Sequence, residues 1–116
     1  MISYDYDAKN HLVHVRPEGI MTTQDALDYF RKILNDDIPS GATEVVHFEQ
    51  LEDIQFNYAG LVQMRHAFSK VLQKHAFKKT IFVADSKVAF GMARMIQGVF
   101  SELDYPFELI EKNDLP

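Results

Sequence analysis

The chain has 116 residues, with twelve basic and seventeen acidic side chains, a net charge of −5 and no cysteine. Its length predicts one domain with one hydrophobic core, over about residues 2–110. The lack of cysteine excludes disulfides, thiolate nucleophiles and cysteine-ligated zinc. The N-terminus has no basic, apolar leader and no apolar run is long enough to span a membrane, so we expect a soluble, cytoplasmic protein.

The basic residues are unevenly distributed along the chain. No Asp or Glu lies between Ile54 and Ala84, whereas five basic residues do, namely Arg65, Lys70, Lys74, Lys78 and Lys79. The negative net charge disfavours general nucleic-acid binding. The basic segment is therefore either a solvated helix face or a surface for an acidic partner or, weakly, an anionic membrane.

The first third of the chain predicts two strands and a helix. Apolar residues alternate at positions 2, 4 and 6, which is typical of a strand, and Asn10 is expected to close a turn with positive φ. A second strand is predicted over 11–21, with an interruption or an edge position at Pro17. Thr22 to Asp25 form a capping signature, which predicts a helix of about 13 residues.

The remaining elements alternate between strand and helix. Strands are predicted over 44–48, 79–84 and 105–110, helices over 58–75 and from the Ser86 cap to about Leu103, and a polar tail over 111–116. The order β-β-α-β-α-β-α-β implies right-handed crossovers after an opening hairpin. We therefore predict a single α/β domain with a mostly parallel sheet of about five strands and helices packed on it.

One segment carries a family resemblance. The stretch from Val45 to Leu61, VVHFEQLEDIQFNYAGL, resembles the centre of the STAS, or SpoIIAA-like, family, where a buried strand leads through a loop to Asp-Ser-Ser-Gly-Leu at a helix start. In that family, phosphorylation of a serine there switches partner binding. Asn57 stands here for the aspartate, and Tyr58 and Ala59 stand for the serines, so the resemblance implies the fold without the phosphorylatable serine.

A second stretch agrees with this resemblance. The run from Phe90 to Met95 resembles a stand-alone bacterial branch of SpoIIAA-like proteins, whose fold is related to the Sec14-type lipid-binding domains. This relation implies a hydrophobic ligand as an alternative to a protein partner. Three methionines, Met64, Met92 and Met95, would suit such a ligand, although methionine on a buried helix face more often belongs to the core.

Catalytic patterns are weak in this chain. The five histidines lack metal-ligand spacing, since His11 and His14 are expected on opposite faces of a strand. No serine has the context of a nucleophile elbow. Glu49, Glu52 and Asp53 are predicted in a loop after a central strand, where an enzyme site is conceivable but a solvated acidic loop is the commoner outcome. We predict no metal, no cofactor and no enzyme activity.

The third helix has the most unusual pattern. A helical wheel predicts a wide buried arc that includes Val88, Met92 and Met95, and an opposite arc with Lys87, Gly91, Arg94 and Gly98. Two glycines inside a helix cost about 1 kcal/mol each relative to alanine, so either the helix tolerates them or another surface approaches closely.

Two functions remain open from the sequence. The leading hypothesis is a non-catalytic regulatory or protein-interaction module, which binds a partner or a second copy of itself through Asn57, Tyr58, Lys87, Gly91, Arg94 and Gly98. The alternative is a small binding protein for a lipid-like or other hydrophobic ligand, with weak association to a membrane surface.

Overall fold

The computed structural model describes residues 1–112. Its elements are β1 (Ile2–Asp7), β2 (Leu12–Pro17), β3 (Gly19–Thr22), α1 (Thr23–Asn35), β4 (Thr43–His47), β5 (Leu51–Gln55), α2 (Tyr58–His75), β6 (Lys79–Ala84), α3 (Lys87–Phe100) and β7 (Phe107–Glu111). A 3₁₀ turn over Ser101–Leu103 follows α3. Most of the predicted polar tail lies outside the described residues.

The main sheet confirms the predicted architecture. Its strand order is β1-β2-β4-β6-β7, with β1 antiparallel to β2 and the other neighbours parallel. From β2 onward, the chain adds each parallel strand on the same side of the previous one. Right-handed crossovers in one direction place their helices on one face, and all three helices share one core with that face of the sheet.

A second, two-stranded sheet was not predicted. The segment 51–55, expected to be an acidic loop, forms β5 and pairs in parallel with β3. The strand predicted over 11–21 is divided, because Pro17 ends β2 and Gly19 adopts φ 68° at the start of β3. Glycine reaches this φ without steric cost, so the chain can leave the main sheet at this point.

The hairpin turn differs from the prediction by one residue. His11, rather than Asn10, has positive φ, at 57°. The backbone N–H of Asn10 donates to Asp7 Oδ1 over 3.2 Å, and its side-chain amide donates to Asp7 Oδ2 over 2.8 Å. These two bonds fix Asn10 within the turn and move the left-handed residue to the next position.

The first helix confirms its predicted start and length. Thr22 Oγ1 accepts the backbone N–H of Asp25 over 3.2 Å, and Asp25 Oδ2 accepts that of Thr22 over 3.0 Å. This is a reciprocal capping box at the start of a helix of 13 residues. The pair satisfies two backbone donors that the helix itself leaves unpaired.

An aromatic cluster centred on Phe68 fills the space between sheet and helices. Its ring contacts Phe30 from α1, Phe100 from α3, and Tyr105 and Phe107 at the last strand, with centroids 5.4 to 6.3 Å apart. A cavity of about 60 Å³ remains in this core. The volume is far below the roughly 300–1,000 Å³ of typical ligand pockets.

Candidate functional site

The first turn of α2 is exposed and capped. Asn57 Oδ1 accepts the backbone N–H of Gly60 over 2.7 Å, so the residue predicted to bind a partner also serves as the N-cap of α2. Asn57, Tyr58 and Ala59 are all exposed, and Tyr58 is 63% accessible. The cap holds this turn in a fixed conformation at the surface.

Gly60, in the first turn of α2, packs against Thr23 at the start of α1. A Cβ atom on Gly60 would lie 2.4 Å from Thr23 Oγ1 and 3.3 Å from Thr23 Cγ2. Only glycine leaves room for this contact, because a real Cβ does not approach another atom so closely. The glycine in the motif is therefore explained by helix packing within the chain.

The starts of α2 and α3 follow strands of different sheets. α2 begins after β5, which pairs in parallel with β3, and α3 begins after β6 of the main sheet. Each N-terminus therefore lies beyond the carboxyl end of a parallel strand, where α/β proteins commonly bind ligands. Ser86 caps α3 by accepting the backbone N–H of Ala89 over 3.1 Å, as predicted. Lys87 and the Phe90 side chain border a shallow groove of about 300 Å³ here.

The exposed side of α3 is wider and more apolar than predicted. Val88 and Met95, expected in the buried arc, are 64% and 40% exposed. The buried residues of α3 form a narrower stripe, consisting of Ala89, Met92, Ala93, Ile96 and Phe100. The reason is position: α3 packs on α2, β6 and β7 at the end of the main sheet, and its outer side faces away from these elements.

We call these residues the α2/α3 surface: Asn57, Tyr58, Lys87, Val88, Gly91, Arg94, Met95 and Gly98. All of them are exposed. Within residues 1–112, Lys87 and Arg94 form no salt bridge, and α3 contains no acidic residue. A Cβ on Gly91 or Gly98 would meet no atom within 4 Å. Nothing inside the chain therefore requires glycine at those two positions.

The basic segment is only partly available to a partner. Arg65 donates to the Val99 carbonyl over 3.1 Å and pairs with Glu102, also over 3.1 Å. Lys79 pairs with Glu108 over 2.9 Å, and Lys74 donates to the Leu34 carbonyl. Lys70 and Lys78 are exposed. Three of the five basic side chains thus stabilise the fold, and the free positive surface is smaller than the sequence suggests.

Two histidines that the sequence predicted to be scattered are in fact paired. His14 Nδ1 lies 2.9 Å from His47 Nε2, and His47 Nδ1 lies 3.3 Å from Glu49 Oε1. The pairing depends on the β2–β4 register, which spacing along the chain does not show. Among residues 1–112, no group of three or more potential metal ligands is suitably placed. Burial lowers the pKa of His47, and the bond to Glu49 opposes this shift.

Glu44 is a buried carboxylate that sequence reasoning missed. Its side chain is only 3% exposed, and it accepts hydrogen bonds from Tyr29 over 2.6 Å and from Thr80 over 2.7 Å. The Thr80 hydroxyl lies 3.0 Å from that of Tyr105. The alternation of side chains along a strand could have predicted this burial, since Glu44 lies on the same face as Val46 and Phe48.

Burial governs the ionisation of this cluster. Desolvation raises the pKa of Glu44, while the bonds from Tyr29 and Thr80 act in the opposite direction. Desolvation also raises the pKa of Tyr29 well above its ordinary value, and proximity to Glu44 adds to the shift. Tyr29, Glu44 and Thr80 border the adjoining cavity, but its walls are almost entirely apolar, because the polar atoms of the cluster bond to one another.

The serines that lack the context of a nucleophile have structural roles. Ser69 and Ser101 donate to carbonyls of their own helices, and Ser86 is a cap. Glu52 and Asp53 were predicted in a loop, but this segment forms β5, on which both side chains are exposed. In the part of the chain that the structure describes, no helix is long and apolar enough to cross a membrane.

Comparisons with known proteins support the fold. No protein-family model matches the chain, and no curated protein matches it either. A crystal structure of an uncharacterised protein of the DUF3478 family from Shewanella loihica PV-4, with a SpoIIAA-like fold, superposes with a TM-score of 0.56. It is 12% identical, over 98% of this chain and 86% of that chain.

A second solved structure is the anti-sigma factor antagonist SpoIIAA in its unphosphorylated form. It superposes with a TM-score of 0.59 at 15% identity, over 95% of this chain and 87% of that chain. Identities this low establish the fold alone. The chain therefore has a SpoIIAA-like α/β fold, as the Val45–Leu61 resemblance predicted.

Proposed function

We propose that the chain is a non-catalytic interaction module that binds a protein partner through the α2/α3 surface. One observation carries this proposal. Five large hydrophobic side chains are exposed within residues 1–112, and three of them, Tyr58, Val88 and Met95, lie on this surface. Exposed apolar groups beside positive charge are typical of binding surfaces, in which Tyr, Met and Arg are enriched.

Charge indicates the kind of partner. Lys87 and Arg94 are neighbours in sequence of the exposed Val88 and Met95. Helix α3 itself contains no acid, although Asp85 and Glu111 line the groove beside Lys87. A partner with a small apolar patch bordered by carboxylates would complement this arrangement, and the charges would mainly raise the association rate. SpoIIAA itself is named as an antagonist of an anti-sigma factor, so a regulatory role that depends on a protein contact is consistent with this fold.

The cavity volume favours this function over a hydrophobic ligand. The core contains about 60 Å³ of free space, where a lipid-like molecule requires several hundred. Met64 and Met92 are buried in the packed core, and Met95 lies outside it on the surface. None of the three methionines that motivated the ligand hypothesis lines a space large enough for such a ligand.

The test compares two surface variants in an extract of the cells that express the protein. Immobilised wild-type protein, a Val88→Ser/Met95→Ser double variant and the control Ile20→Ser are analysed by quantitative mass spectrometry. Ile20 is 47% exposed on β3, which makes it a matched apolar position outside the α2/α3 surface. We expect a specific protein to be retained by wild type and Ile20→Ser, and reduced about tenfold or more by the double variant.

The outcomes are distinct. A partner retained equally by all three proteins would place the contact elsewhere and contradict the proposal.

Sedimentation of the purified protein distinguishes binding to a second copy of the chain from binding to a different protein. Since Gly98 has open space around it, Gly98→Leu should leave the circular dichroism spectrum unchanged and lower the sedimentation coefficient only if the surface pairs with itself.

A further inference from the structure

The end of α2 contacts the end of α1 through one buried histidine. His75 is 2% exposed, and its ring stacks on Phe77 with centroids 5.8 Å apart. Its Nε2 lies 2.6 Å from the carbonyl oxygen of Ile33, in the last turn of α1. Its Nδ1 lies 3.2 Å from the carbonyl oxygen of Ile38, in the segment that leads to β4. We call residues 36–41 the α1–β4 loop.

The number of protons on this ring follows from its neighbours. A carbonyl oxygen can only accept a hydrogen bond, and a neutral imidazole has only one N–H to donate. A neutral His75 would therefore direct a nitrogen lone pair at a carbonyl oxygen, and no hydrogen would lie between the two atoms; the Ile33 carbonyl also accepts the backbone N–H of Asp36 over 3.3 Å. A missing hydrogen bond inside a protein is costly, so the geometry is satisfied only when both nitrogens are protonated.

The electrostatic surroundings also favour a positive charge. His75 lies at the C-terminus of α2 and contacts the C-terminus of α1, and both ends carry partial negative charge. Asp36 attracts it from the loop. The pKa of Asp36 is lowered first by the Tyr4 hydroxyl and next by the backbone N–H of Asp37, and attraction to His75 contributes less. The nearby cation, Lys74, donates to the Leu34 carbonyl.

A second histidine contacts the same loop without this requirement. His11 Nε2 lies 3.2 Å from the carbonyl oxygen of Ser40, whereas its Nδ1 lies 2.6 Å from the hydroxyl of Tyr6. A hydroxyl can donate as well as accept, so a neutral His11 satisfies both contacts. His11 therefore serves as an internal comparison for His75.

We propose that protonated His75 holds the α1–β4 loop against the end of α2, and that loss of one proton releases it. Gly41 closes the other end of this loop, since its N–H is shared between the carbonyls of His75 and Ala76 at 3.2 and 3.1 Å. When the loop is closed, the second ring proton of His75 forms a hydrogen bond to a carbonyl oxygen. In the unfolded chain this bond is absent. Closure is therefore favoured at low pH and weakens as pH rises past the deprotonation of His75.

The direct test is the protonation state of each histidine in the full chain. Two-bond ¹H–¹⁵N NMR correlations, recorded between about pH 5.5 and 8.5, distinguish an imidazolium from either neutral tautomer. We expect His75 to show both ring N–H groups while the loop is closed, and His11 to show the Nε2–H tautomer. A His75 ring with a single proton, together with a Gly41 amide that stays protected, would overturn the proposal.

Hydrogen exchange tests the consequence for the loop. After correction for the intrinsic pH dependence, the Gly41 amide should exchange about tenfold faster once His75 has lost its proton. His75→Gln should abolish this pH dependence, and the control His66→Gln should preserve it. A His75→Gln protein with the same pH-dependent exchange as wild type would contradict the proposal; should that variant not fold, the wild-type NMR titration decides.

Discussion

The Tyr29 hydroxyl donates to Glu44 Oε2 over 2.6 Å within the hydrophobic core. Glu44 has no cationic partner, and the described residues contain no buried side-chain nitrogen or oxygen that lacks a hydrogen bond. Each carboxyl oxygen of Glu44 thus accepts one hydrogen bond, and no cation pairs with the group. The core therefore contains a titratable group, Glu44, whose protonation affects the stability of the fold. The α2/α3 surface lies on other elements.

The first prediction concerns Glu44 and pH. Burial raises the pKa of Glu44 above its ordinary value of 4.5, so the folded state binds the proton more tightly than the unfolded chain. The associated stability is present below that value and is lost as pH rises through the folded pKa, by at most about 1.4 kcal/mol per pH unit. Glu44→Gln should flatten this dependence. Urea unfolding from about pH 4.5 to 8.5 measures it.

The control for this experiment is Glu52→Gln, which changes an exposed carboxylate on β5. It should leave the pH dependence of unfolding as in wild type. If Glu44→Gln and wild type lose stability in parallel over this pH range, the buried carboxylate is not the responsible group.

The second prediction separates the Tyr29 donor to Glu44 from the more distant Tyr105. Tyr29→Phe leaves Glu44 Oε2 buried without a donor and should lower the free energy of unfolding by about 1–3 kcal/mol. Tyr105→Phe leaves both Glu44 bonds intact and should cost less, about 0.5–1.5 kcal/mol. Chemical denaturation at neutral pH compares them. Equal losses of unfolding free energy in the two variants would show that the Tyr29–Glu44 hydrogen bond is not the source of the Tyr29→Phe destabilisation.

The third prediction concerns Gly60. Gly60→Ala places a methyl group 2.4 Å from Thr23 Oγ1 and should destabilise the fold by about 1–3 kcal/mol, despite the better helix propensity of alanine. Gly91→Ala is the matched control, since nothing lies within 4 Å of its Cβ, and it should stabilise by up to about 1 kcal/mol. Thermal unfolding measures both. Adding Thr23→Ala should recover most of the Gly60→Ala loss.

The fourth prediction concerns the contact between α2 and the end of α3. Arg65→Met removes the donor to the Val99 carbonyl and should cost about 2 kcal/mol, with faster amide exchange in the 3₁₀ turn. Glu102→Gln removes only an ion-pair partner that is 72% exposed, and should cost under about 1 kcal/mol. A comparable loss in both variants would mean that the ion pair, and not the carbonyl bond, stabilises this helix end.

The fifth prediction concerns modification of the α2 start. The segment 57–61 contains no serine or threonine, and its single hydroxyl belongs to Tyr58. Serine kinases should therefore leave this segment unmodified, and the α2/α3 surface should be available constitutively. Phosphopeptide mapping of protein isolated from its native cells checks this. Substantial phosphate within 57–61 would restore a switch at this position.

Local patterns along the chain determine much of the fold. The predicted bounds of α2 and β6 agree with the structure, because an N-cap, a helical apolar period and a short apolar run each depend on neighbours a few residues apart. The same patterns predicted the strand and helix order, and right-handed crossovers then fixed the sheet topology. The exposure of Lys87, Gly91, Arg94 and Gly98 also followed from the wheel alone.

Other features depended on contacts between distant parts of the chain. The pairing of β3 with β5, and of His14 with His47, depends on strand register. Val88 and Met95 are exposed because α3 is the last helix in its row, a fact about neighbours that a wheel does not contain. His75 needs two protons only because Ile33 and Ile38 direct their carbonyls at it from another element. The sequence alone determined each element and its apolar face, whereas only the tertiary structure decided which polar groups meet, because those distances are set by packing between segments remote in the chain.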